Sequence, residues 1–409
     1  MSRTLAMILA GGAGTRLFPL TQSRTKPAVP FAGGLRLVDF VLNNFVNSDL
    51  LKIYLLTQFK SQSLNIHLRQ AWYLSGLTGN FIDAIPAQMR MGARWYEGTA
   101  DAIYQNIKLI EIHAPDNVCI FGSDHIYKME VRQVIRYHEK RDAALTVCAT
   151  RVPIEQASRF GVIEVDDDYR MIGFEEKPAT PKPLPDDPSM ALVSMGNYVF
   201  NTQVLFKALR NDAEDKLSSH DFGRDIIPRL FRDKAVYVYD FTQNKIPGEE
   251  PNHHYWRDVG TLDSYWQAHM DLLACTPAFE LNNEKWPLRS YHPPVPPARI
   301  LADKQGNHST ILNSIISSGS RVVGARVERS VLGFNTHLGA GSRLNECVIL
   351  GKSDIGSGCF LNRVITDKGV SIAPGTELGV NPEQDKARGL TVTNQGIVVI
   401  PRDMKVGFE

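Results

Sequence analysis

Three absences narrow the reading before any motif is considered. No stretch reaches the roughly eighteen unbroken apolar residues of a membrane span, and Met1-Ser2-Arg3-Thr4 leads into a short strand rather than a signal-peptide core. A cytoplasmic protein is therefore expected. No run of Lys and Arg occurs, and 45 basic against 44 acidic residues leave a formal charge of +1, which gives no global attraction to nucleic acid or to an acidic membrane. No C-x-x-C pair occurs. The five cysteines, Cys119, Cys148, Cys275, Cys347 and Cys359, are scattered, odd in number and mostly set in apolar stretches. Buried thiols in a reducing compartment are expected of them.

What is present is ordinary in bulk and particular in order. The 409 residues suffice for two or three domains, and 43% hydrophobic with 22% charged residues suits a globular chain. Through residue 270, strand-like and helix-like segments alternate, the pattern of an α/β domain with parallel strands. Short apolar runs predict strands at Leu5–Leu9, Ile53–Thr57, Val118–Phe121 and Leu145–Thr150, with Ser194–Phe200 and Ala235–Tyr239 completing the set. Helices are predicted over Leu37–Asn47, Ser61–Trp72, Asp101–Ile110, Met129–Lys140 and Leu262–Leu273, and a hairpin from Gly161–Asp166 and Met171–Phe174. Five prolines between Pro178 and Pro188 mark a surface loop, and Pro293, Pro294, Pro296 and Pro297 mark a linker.

Beyond the linker the texture changes. Ile315-Ile316, Val331-Leu332, Val348-Ile349 and Val364-Ile365 recur at spacings of 16, 17 and 16. Leu338 with Leu344, Ile355 with Leu361 and Ile372 with Leu378 stand six apart, with glycines and small polar residues at the corners. Three six-residue faces per coil, with a residue sometimes lost at a corner, give this period and predict a parallel β-helix of imperfect hexapeptides. A β-sandwich is the plainer alternative, disfavoured by the constant repeat. The expected division is a catalytic domain over 1–275, a linker over 276–298 and a β-helix over 299–409, whose flat faces invite self-association.

Four constellations can carry chemistry. The predicted strand Leu5–Leu9 runs into Ala10-Gly11-Gly12-Ala13-Gly14-Thr15-Arg16-Leu17, a glycine turn whose backbone N–H groups can converge on phosphate, with Arg16 and Lys26 to neutralise it. It has neither dinucleotide-binding nor P-loop spacing. Asp124 and Asp258 each follow a strand-like segment, and two oxygen ligands from distant loops suit the Mg²⁺ that accompanies a polyphosphate. Taken singly, each also reads as a solvated surface aspartate. In Phe174-Glu175-Glu176-Lys177-Pro178, Lys177 suits a sugar phosphate and Glu176 its hydroxyls, unless this is an exposed turn cluster. In Trp95-Tyr96-Glu97-Gly98-Thr99-Ala100-Asp101-Ala102, Gly98 permits close backbone approach, Thr99 can cap the following helix, and Gln88 can pair with a purine edge or be a plain loop amide.

With those segments in hand, the chain closely resembles the bacterial glucose-1-phosphate adenylyltransferases, a family of sugar nucleotidyltransferases. Leu9 to Leu17, Lys26 to Pro30, Trp95 to Asn106, Ser123 to Met129, Phe174 to Pro178, Ser194-Met195-Gly196 and Trp256 to Thr261 carry the likeness. It implies a Rossmann-like domain with a mostly parallel sheet, followed by a left-handed parallel β-helix of hexapeptide repeats. It also implies transfer of adenylyl from ATP to glucose 1-phosphate, giving ADP-glucose and pyrophosphate with Mg²⁺. By resemblance, Leu9, Ala10, Gly11, Gly12, Gly14, Thr15, Arg16 and Lys26 surround the ATP phosphates, and Gln88 and Gly98 the adenine. Asp124 and Asp258 look like the metal pair. Tyr96, Gly161, Glu176, Lys177 and Ser194 resemble the glucose 1-phosphate site. Arg24 and Arg36 resemble effector-site arginines, and phosphometabolite effectors and a homotetramer are the family expectation.

Departures touch regulation more than chemistry: Ala13 and Ser123 replace an expected Arg and Gly. Ser23, Gly389 and Val392 stand where many members have cations. Rival readings are a UTP- or dTTP-using enzyme, a non-catalytic regulatory subunit, and a hexapeptide acyltransferase.

Overall fold

The computed structural model describes residues 2–88, 94–250 and 254–408. Four strands, Phe81–Pro86, Lys52–Thr57, Thr4–Ala10 and Asn117–Gly122, lie side by side and parallel in that order. Met190–Asn201 then runs antiparallel between Asn117–Gly122 and Leu145–Pro153, and Val236–Asp240 closes that edge parallel to Leu145–Pro153. From Thr4–Ala10 the chain works outward through two strands and returns to pair Asn117–Gly122 on the other flank. The crevice at the carboxyl ends of these two neighbours is where an open α/β sheet receives ligands.

Alternation along Thr4–Ala10 feeds two separate cores. Ala6, Ile8 and Ala10 join Val38, Val41, Leu42 and Phe45 of the helix Leu37–Asn47 on one face. Leu5 and Met7 join Ala100, Ile103, Leu205 and Leu209 on the other, from the helices Thr99–Tyr104 and Thr202–Glu214. Both faces are covered, so the strand reads as a continuous apolar run.

The predicted helix over Asp101–Ile110 is instead two, Thr99–Tyr104 and Ile107–His113. Between them Asn106 donates its side-chain amide to Ala102 O (2.8 Å) and Tyr96 Oη (2.9 Å), local bonds that compete with helix continuation. The strand Phe81–Pro86, the helix Thr202–Glu214 and the helical stretch from Phe222 to Asp233 do not stand out in the sequence pattern. Neither does the small antiparallel pair His125–Tyr127 with Trp256–Asp258, which sets His125 opposite Asp258.

The carboxyl-terminal domain is a three-sided parallel β-helix. One column stacks Val322, Leu338, Ile355 and Ile372, and a second stacks Val327, Leu344, Leu361 and Leu378. The third face corrects the expected register: Val348 pairs with Ile365, not Val364, so the spacings run 16, 17 and 17. Val364, Ile365 and Thr366 are all buried, and an apolar pair inside such a run does not reveal which residue faces inward.

That third face is buried on both sides. Leu332, Ile349, Val364 and Val398 fill the β-helix interior, whereas Val331, Val348, Ile365 and Val399 share a core with Leu17, Leu262, Tyr265 and Trp266 of the first domain. Trp266 adds a hydrogen bond from Nε1 to Glu346 O (2.8 Å). The chain leading into the proline-rich segment is a strap rather than a free spacer. Asn43 and Asn47 donate to the carbonyls of Arg289 (2.9 Å) and Pro287 (3.0 Å), and Ser290 donates to Asp39 (2.7 Å). Of the cysteines, only Cys275 is exposed.

Candidate active site

The glycine turn lies on top of a lysine. Gly14 has φ 62°, and a Cβ there would stand 2.9 Å from Lys26 Cβ, so both conformation and space exclude a larger residue. Thr21 Oγ1 donates to Gly14 O (2.9 Å) and fixes the turn from behind. In front opens a cleft of about 740 Å³, within the usual range for ligand sites. Leu9, Ala10, Gly11, Gly12, Gly14, Thr15, Arg16 and Lys26 all line it, as do Tyr96, Gly98, Asp124, Glu176 and Lys177.

At the switch point the two acids meet. Ser123 Oγ donates to Leu9 O (2.6 Å), tying the acidic loop to the strand that bears the glycines. Asp124, His125 and Asp258 each bring one ligand atom within 4.8 Å of the others. Lys26 Nζ lies between the carboxylates, 2.7 Å from Asp124 Oδ2 and 3.5 Å from Asp258 Oδ1. His125 Nε2 is 3.6 and 3.8 Å from the same two acids; its ring faces Trp256, and its Nδ1 is buried without a partner.

Charge decides the protonation here. Burial alone would lower the Lys26 pKa, but the nearby Asp124 and Asp258 carboxylates outweigh it and raise the value. Burial likewise pushes Asp124 up, and Lys26 and His125 outweigh it and hold the carboxyl well below its usual range. An ammonium cradled by two carboxylates shows that this set accepts a cation, and hard oxygen donors suit Mg²⁺.

The far end of the cleft departs in part from expectation. Glu176 and Lys177 line it as an ion pair, and Lys177 adopts a left-handed φ of 51° pinned by its N–H to Phe160 O (3.0 Å). Gly161 and Ser194 are not on the wall. A Cβ at Gly161 would stand 2.5 Å from the Phe174 ring and 2.9 Å from Glu176 Oε2, so this glycine seats Glu176 from behind. Ser194 is 9% exposed, and its Oγ accepts from Gly196 N (3.2 Å) inside the strand's irregularity.

Gln88 is off the cleft wall too, and residues 89–93, which follow it, lie outside the described set. Gln58 lines the cleft instead, its Oε1 accepting from Tyr96 N (2.8 Å). Thr99 is not the cap: Gly98 holds that position, while Thr99 Oγ1 donates to Asp221 Oδ2 (3.0 Å) and accepts from Phe222 N (3.0 Å).

Asp221, Phe222 and Gly223 therefore form a wall that sequence reasoning missed. Its readable signal was Asp221 as an N-cap, accepting from Gly223 N and Arg224 N. The reason for Gly98 is also here, since a Cβ would sit 2.2 Å from His220 O.

The two arginines assigned to effectors separate. Arg24 is buried and donates both terminal nitrogens to Asp367 Oδ1 at 2.9 Å, so it joins the domains and, among the described residues, is not part of the wall of a cavity between them. Arg36 does line one, about 320 Å³ between the domains, with His67, Lys352 and Lys368. Burial takes Arg36 down to about 10, with Asp39 opposing the shift. Burial, then the Arg36 and Arg24 charges, takes Lys368 down to about 7.

A glycine loop and a carboxylate pair meeting at the switch point between the parallel strands Thr4–Ala10 and Asn117–Gly122 define a nucleotidyl transferase. Residues 5–274 match the family model described as nucleotidyl transferase, and residues 296–400 match the GlmU-like C-terminal hexapeptide family. The chain is 57% identical over 408 residues to glucose-1-phosphate adenylyltransferase 1 of Vibrio parahaemolyticus and 59% identical over 408 residues to that of Vibrio cholerae, covering 100% of each chain. It is 46% identical over 410 residues to the glucose-1-phosphate adenylyltransferase of an Anaeromyxobacter species, covering 99% of this chain and 100% of the relative. The chain belongs to the glucose-1-phosphate adenylyltransferase family.

Proposed function

We propose that this chain condenses ATP with glucose 1-phosphate, releasing pyrophosphate and ADP-glucose for α-glucan (glycogen) synthesis. The observation that carries the reading is the cluster of Lys26, Asp124 and Asp258: Lys26 and Asp124 line one cleft with the glycine loop, Glu176 and Lys177, and Asp258, not itself on that wall, reaches Lys26 at 3.5 Å. Lys177 orients the sugar phosphate for in-line attack on the α-phosphorus, and Glu176 receives sugar hydroxyls. Arg16 and the N–H groups of Gly11 to Thr15 steady the departing pyrophosphate. The attacking phosphate oxygen is already ionised, so no general base is needed and His125 is not assigned one. Rate comes from positioning and charge neutralisation. Asp124 and Asp258 would hold Mg²⁺, which when bound would supply charge neutralisation between the two anionic substrates.

Purified chain incubated with glucose 1-phosphate and each of ATP, GTP, UTP and dTTP tests the proposal through pyrophosphate release. ATP is expected to be used fastest. Preference for UTP or dTTP overturns the adenylyl assignment, and no release with any of them favours a regulatory subunit.

The proposal extends to regulation and assembly. Residues 1–275 carry catalysis, 276–298 connect, and 299–409 serve assembly and control. A phosphometabolite binds beside Arg36, Lys352 and Lys368, the chain forms a homotetramer, and it works in the cytoplasm. Adding glycolytic metabolites and AMP to the same assay tests the effector site, and light scattering tests the assembly.

A further inference from the structure

We infer that Lys26 is a resident counter-ion that holds the metal position until a polyphosphate draws it away, so that divalent cation and nucleotide enter the site together. The inference rests on the proposed metal pair, Asp124 and Asp258.

Space sets the first constraint. Mg²⁺ binds carboxylate oxygen at about 2.1 Å. A cation reaching Asp124 Oδ2 and Asp258 Oδ1 at that range needs the volume of an ammonium that is itself 2.7 and 3.5 Å from those atoms. The two cations also repel each other, so occupancy by one excludes the other.

The second constraint is confinement. The Lys26 side chain is 9% exposed. Its backbone is held in the turn Lys26–Ala28, with Pro27 next and Val29 N donating to Lys26 O (3.0 Å). Gly14 packs close enough over it that an added Cβ would stand 2.9 Å from Lys26 Cβ. The backbone of Lys26 therefore stays in place when a metal ion arrives, and only the ammonium can move, toward the cleft it lines. Its partners within reach are the two carboxylates behind it or an anion in the glycine loop in front.

Charge supplies the direction. Two carboxylates and one ammonium leave the cluster at a net −1, so a divalent ion arriving alone must both displace an ion-paired lysine and leave that lysine buried without a partner, which is costly. A triphosphate in the loop gives Lys26 its new partner and frees both carboxylates at once. Weak metal binding by the empty enzyme, and strong binding once Lys26 is removed, follow from this arrangement.

Mn²⁺ alone is the probe, titrated without nucleotide into the full-length chain and followed by the EPR signal of the free ion. Lys26→Met is expected to bind Mn²⁺ at least about tenfold more tightly than the unaltered chain. Lys26→Arg, which keeps the charge, is expected to remain as weak as the unaltered chain. The double variant Lys26→Met with Asp124→Asn is expected to lose the tight site.

Equal or weaker binding by Lys26→Met overturns the counter-ion role while leaving the metal pair standing. Equal binding with and without Asp124→Asn in the Lys26→Met background overturns the metal pair itself. Should Lys26→Met not fold, Lys26→Gln followed by thermal melting decides the matter. Mn²⁺ must raise its melting temperature more than that of the unaltered chain, and an equal rise overturns the inference.

Discussion

Arg24 and Lys26 stand two residues apart and are similarly buried, at 2% and 7% exposure, yet they serve opposite ends of the molecule. Arg24 points to the β-helix and meets a carboxylate with 1% side-chain exposure, Asp367. Lys26 points to the cleft and meets two carboxylates on separate loops, Asp124 at 35% and Asp258 at 19% side-chain exposure. A sealed pair fixes how two domains sit together. A pair with one open side can exchange its cation, and that is the property a reaction site needs. Burial alone did not separate the two roles; the accessibility of the partner did.

The sharpest way to break the comparison is to remove the sealed cation. Arg24→Met leaves the buried Asp367 without its arginine, keeping only the Lys368 N–H, and is expected to cost about 3–5 kcal/mol of stability, measured by denaturant unfolding, with Arg24→Met plus Asp367→Leu recovering most of it. A cost below about 1 kcal/mol would mean the pair is not sealed.

On the open side the loss should fall on rate instead. Asp124→Asn is expected to fold as before and to lower turnover at least about 100-fold, a few kcal/mol of barrier. Near-normal turnover of the folded variant would remove Asp124 from the reaction.

Lys368 sharpens the contrast through pH. Its pKa falls to about 7 in the folded chain from 10.5, so between those values the unfolded chain holds a proton that the folded chain lacks. Stability from this group therefore rises with pH across that window and is flat at its lowest below it. Lys368→Met is expected to raise the melting temperature by about 3 °C or more at pH 6, with the gain shrinking toward pH 10. A gain independent of pH would show that Lys368 is not the titrating group.

The smallest effect belongs to the wall of the cleft. Thr99→Val cuts the ties to Asp221 and Phe222 N, and is expected to cost about 1 kcal/mol or a little more. It should also raise KM for glucose 1-phosphate severalfold with little change in kcat, separable by steady-state kinetics. An effect on kcat alone would place Thr99 nearer the reacting atoms than this geometry has it.

What the sequence determined by itself was whatever a short stretch of backbone decides. The helix Leu37–Asn47 stands as predicted, its Val38, Val41, Leu42 and Phe45 falling at helical spacing in one core while Leu37 and Phe40 enter the core shared with the β-helix. The glycine turn after Leu9 was legible because its backbone requires glycine locally, as φ 62° at Gly14 confirms. The β-helix announced itself because each coil repeats the same burial, and the family segments were legible because they are contiguous.

Only the tertiary structure decided which distant groups meet. The antiparallel pair His125–Tyr127 with Trp256–Asp258 brings the second acid to the first, and no local pattern encodes it. The glycines at 98 and 161 answer to a passing carbonyl and to the Phe174 ring, not to their own turns. The pairing of Val348 with Ile365, and the parting of Arg24 from Arg36, were likewise set by what packs against them. Periodicity reports that a side chain is buried, whereas the partner it is buried against is fixed by chain that packs there from elsewhere in the sequence, as far off as Asp367 is from Arg24.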